Sequence, residues 1–134
     1  MIELNENELS RVITDAVVHL PRHLTAPGLD DVVYCQGLGA DLRSRGLRID
    51  RQEIPPGVYR GVKTTRPTRI DLIVNERVIV LCKVAKAVTP VMEAQALAQL
   101  RMTGMKMALI VLFGDRLTRR SVYRVIDPTD GASA

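Results

Sequence analysis

The fold of this chain is decided by residues 69–84, which read RIDLIVNERVIVLCKV. A run rich in β-branched residues lies on each side of the polar triplet Asn75-Glu76-Arg77. Such runs favour extended backbone, and a short polar triplet between them is typical of a hairpin turn. We therefore predict two strands joined by a tight turn, with Asp71 on the first strand and Lys83 near the end of the second.

The hairpin also suggests a register. If the pairing is centred on Glu76, residue 81 lies opposite Asp71, and a three-residue loop permits this arrangement. Side chains alternate along a strand, so residues 81 and 83 share one face of the sheet. The spacing is therefore compatible with Asp71 and Lys83 lying on one shared face.

The segment after the hairpin predicts a crossover between parallel strands. Thr89 and Pro90 suit the N-cap and the first position of a helix, which we expect to end near Gly104. Residues 107–113 are continuously apolar, as in a strand that is buried on both faces. Together with the strand over 78–84, these elements would form a right-handed parallel unit.

The N-terminal half predicts two helices and a less regular segment. Apolar residues recur every three or four positions over 6–20, and a second helix is expected over 29–45, where Gly46 suits the position after a helix end. Residues 47–63 favour an edge strand, or two strands with a turn between them. Residues 121–126 are a further candidate strand.

These elements define the fold class as α/β. We expect a small mixed sheet of three to five strands, flanked by the two N-terminal helices and by the helix that follows Thr89. At 134 residues the chain is long enough for one core. We place a single domain over residues 1–126 and expect a disordered tail over 127–134.

The composition fits a globular domain with an aliphatic core. Hydrophobic residues make up 46% of the chain and charged residues 25%, but there are only three Tyr, one Phe and no Trp. So few rings argue against a nucleic-acid surface built on base stacking. Lys and Arg number 19 against 15 Asp and Glu, and the formal net charge of +4 permits a polyanionic partner.

Cysteine usage and hydropathy bear on the compartment. Cys35 and Cys82 lack the spacing of a zinc site or a disulfide framework, so we expect buried free thiols. No apolar run approaches the roughly 18 residues needed to span a bilayer, and the first residues are acidic where a signal peptide would be basic. These features predict a soluble cytoplasmic protein with no membrane partner.

Several segments, taken in order along the chain, resemble the GxxExxY family of small PD-(D/E)XK nuclease-like proteins. The family's Pro-Gly-x-x-Glu-x-x-Tyr signature is similar to residues 27–34, with Asp31 in place of the Glu and Tyr34 at the end. The other matching segments are LRSRGL at 42–47, YRGV at 59–62, RIDLIV at 69–74, VIV at 78–80, TPVMEAQ at 89–95 and LRMTG at 100–104. The resemblance covers nearly the whole chain and implies a PD-(D/E)XK nuclease-like core.

The resemblance also implies a site. In such proteins an Asp and a Glu hold a divalent metal, and a Lys two residues after the Glu acts on the attacking water. Carried onto this chain, this implies Asp71 and Asp31 as metal-binding residues and a catalytic set of Asp71, Lys83, Gln95 and Asp31. Leu81 occupies the position of the Glu, so the second acidic ligand is replaced by a side chain with no lone pair.

Three functions follow from these features. The missing ligand favours a degenerate, non-catalytic nuclease-like domain that needs no cofactor and either binds a polyanion, such as nucleic acid or a nucleotide, or self-assembles. Its candidate contacts are Arg43, Arg45, Lys83, Lys86, Arg101 and Tyr34.

The alternatives are a nuclease that depends on Mg²⁺ or Mn²⁺ and has an altered metal site, and a purely structural homo-oligomer. The homo-oligomer would assemble through an exposed strand edge or through a helical stripe formed by Met92, Gln95, Gln99 and Met102.

Overall fold

The computed structural model of the chain describes residues 3–21, 28–114 and 116–128. The α-helices found in these ranges are α1 (Glu6–Val18), α2 (Asp31–Ser44) and α3 (Pro90–Thr103). A short 3₁₀ helix covers Arg119–Ser121. The strands are β1 (Ile49–Ile54), β2 (Gly57–Tyr59), β3 (Val62–Thr64), β4 (Thr68–Val74), β5 (Val78–Val84), β6 (Met107–Phe113) and β7 (Val122–Ile126).

Five strands form the main sheet in the order β1-β4-β5-β6-β7. Strands β5 and β6 are parallel, whereas the other neighbouring pairs are antiparallel. Helix α3 connects β5 to β6, so the predicted parallel crossover is confirmed. Helices α1 and α2 pack on one face of the sheet and α3 packs on the other. The expected α/β class, a mixed sheet flanked by helices, is confirmed.

The predicted hairpin between β4 and β5 is confirmed, and its register is the predicted one at the two positions where the strands pair. Both residue pairs formed by the two strands are centred on Glu76. Asn75 and Glu76 have φ angles of 51° and 58°, which is the left-handed backbone that a tight hairpin turn requires. The Asn75 Oδ1 accepts a hydrogen bond from the Arg48 N–H, and the Asn75 N–H donates to the Arg48 carbonyl, each at 2.8 Å. These two bonds fix the turn to the residue that precedes β1.

Helix α3 begins and ends where the sequence predicts. The Thr89 hydroxyl accepts a hydrogen bond from the Met92 N–H at 3.2 Å and caps the helix, and Pro90 follows as the first helical residue. Gly104 ends the helix with a φ of 76°, a left-handed conformation that glycine adopts without strain. Helix α3 therefore starts at Pro90, six residues after β5 ends at Val84.

Helix α2 begins at Asp31, two residues later than predicted, because Asp30 is its N-cap. The Asp30 carboxylate accepts a hydrogen bond from the Val33 N–H at 3.0 Å. Gly39 does not interrupt the helix. A Cβ built there would lie 3.5 Å from Leu72 and 3.7 Å from Ile49, so the glycine lies where side chains of β4 and β1 approach the helix.

The core is aliphatic, with one pair of aromatic rings. Tyr34 of α2 and Phe113 of β6 stack with ring centroids 4.3 Å apart. Tyr34 is only 3% exposed. The structure therefore places Tyr34, a candidate binding contact, in the core, because its ring fills the space between α2 and the sheet.

The helical stripe considered as a self-association surface is only half exposed. Gln99 and Met102 are 4% and 7% exposed, and they lie between α3 and the sheet. Gln99 and Met102 are buried because they lie on the same side of α3 as Ala96 and Leu100, and this side faces the sheet.

The segment 47–63 divides between two sheets. Strand β1 lies at the edge of the main sheet, whereas β2 and β3 form a separate two-stranded hairpin. Tyr59 and Val62 of this hairpin pack against the cluster under α3. The prolines at 55 and 56 end β1 because proline cannot donate a ladder hydrogen bond.

Near the C-terminus, Asp127 is buried and lies 3.4 Å from the guanidinium of Arg101. Residues 129–134 lie outside the described part of the chain, so the expected tail and the domain bounds stay predictions. Within the described ranges, no helix has both the length and the apolar character needed to cross a membrane.

The centre of the sheet should dominate stability. Leu109 of β6 is fully buried, whereas Val58 of β2 is 67% exposed. We expect Leu109→Ala to lower the free energy of unfolding by about 2–5 kcal/mol, because it removes transfer energy and leaves a cavity. The control Val58→Ala should change it by about 0.5 kcal/mol or less. Urea unfolding followed by circular dichroism measures both, and equal losses would contradict this assignment of the core.

Candidate functional site

A cleft opens where β4 and β5 separate. The two strands are paired only at the two positions next to their turn, whereas β5 is paired with β6 along its whole length. The gap between the far ends of β4 and β5 is closed on its sides by α2 and α3. The polar side chains that line this cleft are Asp31, Arg69, Asp71, Lys83, Gln95 and Gln99.

A bulge in β4 sets the position of Asp71. Opposite β1, three steps along β4 from Ile70 to Ile73 match only two steps from Gln52 to Asp50. As a result Ile70 and Ile73 both pack on the α3 side, which strict alternation would not allow. Asp71 lies within this bulge, and bulges commonly redirect side chains beside functional sites.

The cleft spans the sheet and is not confined to one face. Leu81 belongs to the cluster under α3, whereas Cys82 belongs to the cluster under α1 and α2, yet both line the cleft. The expected register holds only next to the turn, because the pairing does not extend to Asp71 and residue 81. Asp71 and Lys83 instead line the gap between the two strands. The divergence of β4 and β5, which is not visible in the local sequence, accounts for this difference.

Asp31 joins α2 to the end of β5. Its Oδ1 accepts a hydrogen bond from the backbone N–H of Val84 at 2.8 Å. Val84 is the last residue of β5 and lies beyond the paired positions of β4. The carboxylate therefore satisfies a backbone donor that would otherwise lack a strand partner.

The remaining charges of the cleft are partly paired. Asp71 is 49% exposed, and its Oδ1 lies 3.5 Å from the guanidinium of Arg69. The neighbouring Lys83 is half-buried. Leu81 is only 7% exposed and lines the cleft without offering a ligand atom.

The residues of the cleft do not fit the metal site that the PD-(D/E)XK motif implies. Mg²⁺ favours oxygen ligands in near-octahedral geometry. The two acids, Asp31 and Asp71, already have a backbone donor and an arginine as partners, and Leu81 adds no oxygen. In the part of the chain that the structure describes, no three or more His, Cys, Asp or Glu side chains are grouped to hold a metal.

Two thiols form part of the wall beside Asp31. A hydrogen-bonding interaction with Cys82 lowers the pKa of Cys35, against the opposing effects of burial and of Asp71. The same interaction, together with burial, raises the pKa of Cys82 well above its ordinary value. The sequence analysis expected two buried free thiols. The structure buries Cys82, leaves Cys35 half-buried and places both at the same cleft.

Gln99 is a residue of the cleft that the sequence analysis assigned to a different role. Its Oε1 is buried and has no hydrogen-bond partner among the described residues. An unpaired acceptor in a buried position is costly, so Gln99 is suited to accept a hydrogen bond from a water molecule or ligand in the cleft. Its position one helical turn after Gln95 is the sequence signal that places the two amides on one side of α3.

The structure brings together only some of the predicted site residues. Asp31, Asp71, Lys83 and Gln95 line one cleft. Arg45 pairs instead with Asp41 at 2.9 Å and with Asp15 at 3.4 Å, and Arg101 pairs with Asp127. Tyr34 is a core residue, and the exposed side chains of Arg43 and Lys86 are not part of the cleft wall.

This arrangement, with acids from α2 and β4, a lysine near the end of β5 and a glutamine from α3 around one cleft, agrees with the protein's family. A comparison with family models matches residues 7–125 to the PD-(D/E)XK nuclease superfamily. The chain therefore belongs to the PD-(D/E)XK nuclease superfamily. A search of the curated proteins found no match.

Two solved structures are similar to this chain. One is the crystal structure of SSO0001, with 20% identity over 90% of this chain and 69% of that chain, and a TM-score of 0.50. The other is an alkaline exonuclease, LHK-Exo from Laribacter hongkongensis, with 16% identity over 73% of this chain and a TM-score of 0.48. This chain covers 59% of that exonuclease. At such identities the likeness concerns the fold.

The contact between Asp31 and Val84 can be tested directly. We expect Asp31→Ala to destabilise the protein by about 0.5–1.5 kcal/mol, because the exposed N–H of Val84 exchanges its carboxylate acceptor for water. Amide hydrogen exchange at Val84 should accelerate. The control Asp31→Asn keeps an oxygen at this position and should retain most of the protection. Unchanged exchange at Val84 in Asp31→Ala would show that the bond does not hold α2 to β5.

Proposed function

We propose that this chain is a degenerate nuclease-like domain that has lost metal-dependent cleavage and binds a polyanion, either nucleic acid or a nucleotide, at its cleft. The proposal rests on one observation. Leu81, at the position where the motif has its Glu, is a buried apolar side chain in the wall of the cleft.

The loss of this ligand removes more than one oxygen atom. A divalent ion in a nuclease site stabilises the negative charge that develops on the phosphoryl oxygens and activates the attacking water. Asp71 alone, partly neutralised by Arg69, is a weak anchor for such an ion. Lys83 then remains as a cation that faces the cleft without a metal-bound water to act on.

The cations near the cleft support the binding of phosphates. Lys83 and Arg69 line it, and Lys86 is exposed two residues after β5 ends. Contacts of this kind position a phosphate backbone but do not read bases. Arg45 and Arg101 contribute less, because Asp41 and Asp127 already compensate their charges.

A magnesium-dependent nuclease is the second candidate, and one observation favours it. Asp31, Asp71, Lys83 and Gln95 remain around a single cleft, as an active site would require. Self-assembly has weaker support, because the predicted helical stripe is half buried. Its remaining basis is the pair of edge strands, β1 and β7, at the two ends of the main sheet.

Titration calorimetry with Mn²⁺ and Mg²⁺ separates the degenerate domain from the nuclease. We expect no binding to the wild-type protein and measurable binding to Leu81→Glu, because the second carboxylate is then restored beside Asp71. Leu81→Gln has the same size without the charge and is the matched control. Binding by the wild-type protein that disappears in Asp71→Ala would overturn the degenerate assignment.

Fluorescence anisotropy with labelled single- and double-stranded DNA tests the polyanion partner. We expect binding that persists in EDTA and weakens as salt rises, with the slope of log K against log salt reduced by about 1 in Lys83→Gln. Lys106→Gln is the control, because Lys106 is exposed near the turn of the hairpin, away from the cleft. Equal effects of the two variants, or cleavage of the DNA, would contradict the proposal.

A further inference from the structure

Two cysteines, far apart in sequence, face each other in the wall of the cleft. Cys35 lies on α2 and Cys82 on β5, and both line the cleft and pack in the same hydrophobic cluster. Both are free thiols, and each is close enough to shift the pKa of the other. A disulfide requires Cα atoms about 4.4–6.8 Å apart, and two thiols on facing elements of one cleft are candidates for such a bond.

The backbone geometry explains why the two thiols meet. Asp31 on α2 contacts Val84 on β5. A step of four residues along a helix is a rise of about 6 Å, which leads from Asp31 to Cys35. A step of two residues back along a strand covers about 6.6 Å, which leads from Val84 to Cys82. Cys35 and Cys82 are those two positions, so the thiol contact is a second connection, parallel to the first, between the same helix and strand.

The two thiols differ in access. Cys35 is half-buried, whereas Cys82 is 8% exposed. The charged groups that act on Cys35 are Asp31, Asp71 and Arg51. A small oxidant in the cleft therefore reaches Cys35 first, and Cys82 is positioned as the second thiol.

We propose that Cys35 and Cys82 form a reversible disulfide when the protein meets a low-molecular-weight disulfide such as oxidised glutathione. The thiolate of Cys35 attacks one sulfur of the oxidant, forms a mixed disulfide and releases one glutathione thiolate. Cys82 then loses its proton to water and attacks the sulfur of Cys35. The second glutathione leaves as a thiolate, so two protein thiols are oxidised and one glutathione disulfide is reduced.

The bond fixes the first turns of α2 to β5. Asp31 and its contact with Val84 lie one helical turn away, so oxidation holds that wall of the cleft against opening. This inference depends on the contact between the thiols and does not depend on what the cleft binds.

The test uses the wild-type protein in its native state. It is incubated with oxidised glutathione, quenched with N-ethylmaleimide under denaturing conditions and analysed by intact mass. We expect a monomer lighter by two hydrogens that takes up no maleimide, in at least about tenfold excess over the glutathione adduct, because Cys82 is held at high effective concentration. Dithiothreitol should restore two maleimide sites.

Two variants identify the order of attack. Cys82→Ser should retain a stable glutathione adduct at Cys35, whereas Cys35→Ser should leave Cys82 unmodified until the protein is denatured. Circular dichroism shows whether each variant is folded, and the wild-type measurement decides the question without them. A lasting glutathione adduct on the wild-type protein, or disulfide-linked dimers in place of the internal bond, would overturn the inference.

Discussion

Strand β5 pairs along its whole length with one neighbour and only in part with the other, and the rest of the structure depends on this constraint. It pairs with β6 at seven positions and with β4 at only two. The parallel pairing, closed by α3, holds β5 in the centre of the sheet. Since β4 turns away towards β1, the far half of β5 faces an opening. Every residue of the candidate site borders this opening, and Asp31 from α2 occupies the backbone donor that the opening exposes.

Under the proposed function, Leu81 replaces an acidic ligand while the fold remains. Its side chain packs under α3 with the apolar cluster of that face. Burial of a leucine contributes about 1.5–3 kcal/mol, whereas a carboxylate in the same place would have to be desolvated or held by a metal. The substitution therefore suits the core without a metal ion. The polar cleft around it remains because Asp31 and Asp71 have protein partners of their own.

Much of the fold follows from local sequence. The hairpin at 69–84, the capped helix after Thr89 and the apolar strand at 107–113 are each determined by residues that lie within one element or one turn. The predicted register is correct beside the turn for the same reason, whereas the pairing that it implied at Asp71 is not formed. The local sequence does not predict that β2 and β3 form a separate sheet. The prolines at 55 and 56 indicate where β1 ends, but they do not indicate which surface the next strands contact.

The site was predictable only in part. Family resemblance identified Asp31, Asp71, Lys83 and Gln95, which the structure brings to one cleft. The contact between two thiols on different elements depends on how α2 lies across β5, and no local pattern encodes that. The burial of Tyr34 and Gln99 is likewise a consequence of packing between layers, which spacing along one helix does not determine.

The proposed function holds that the cleft keeps the framework of a nuclease and has lost its metal site. Crystals of the wild-type protein soaked in Mn²⁺ and measured at the manganese absorption edge test it most directly. The account predicts no anomalous density beside Asp71 in the wild-type protein. A strong anomalous peak bound by Asp71 and Asp31 would contradict it.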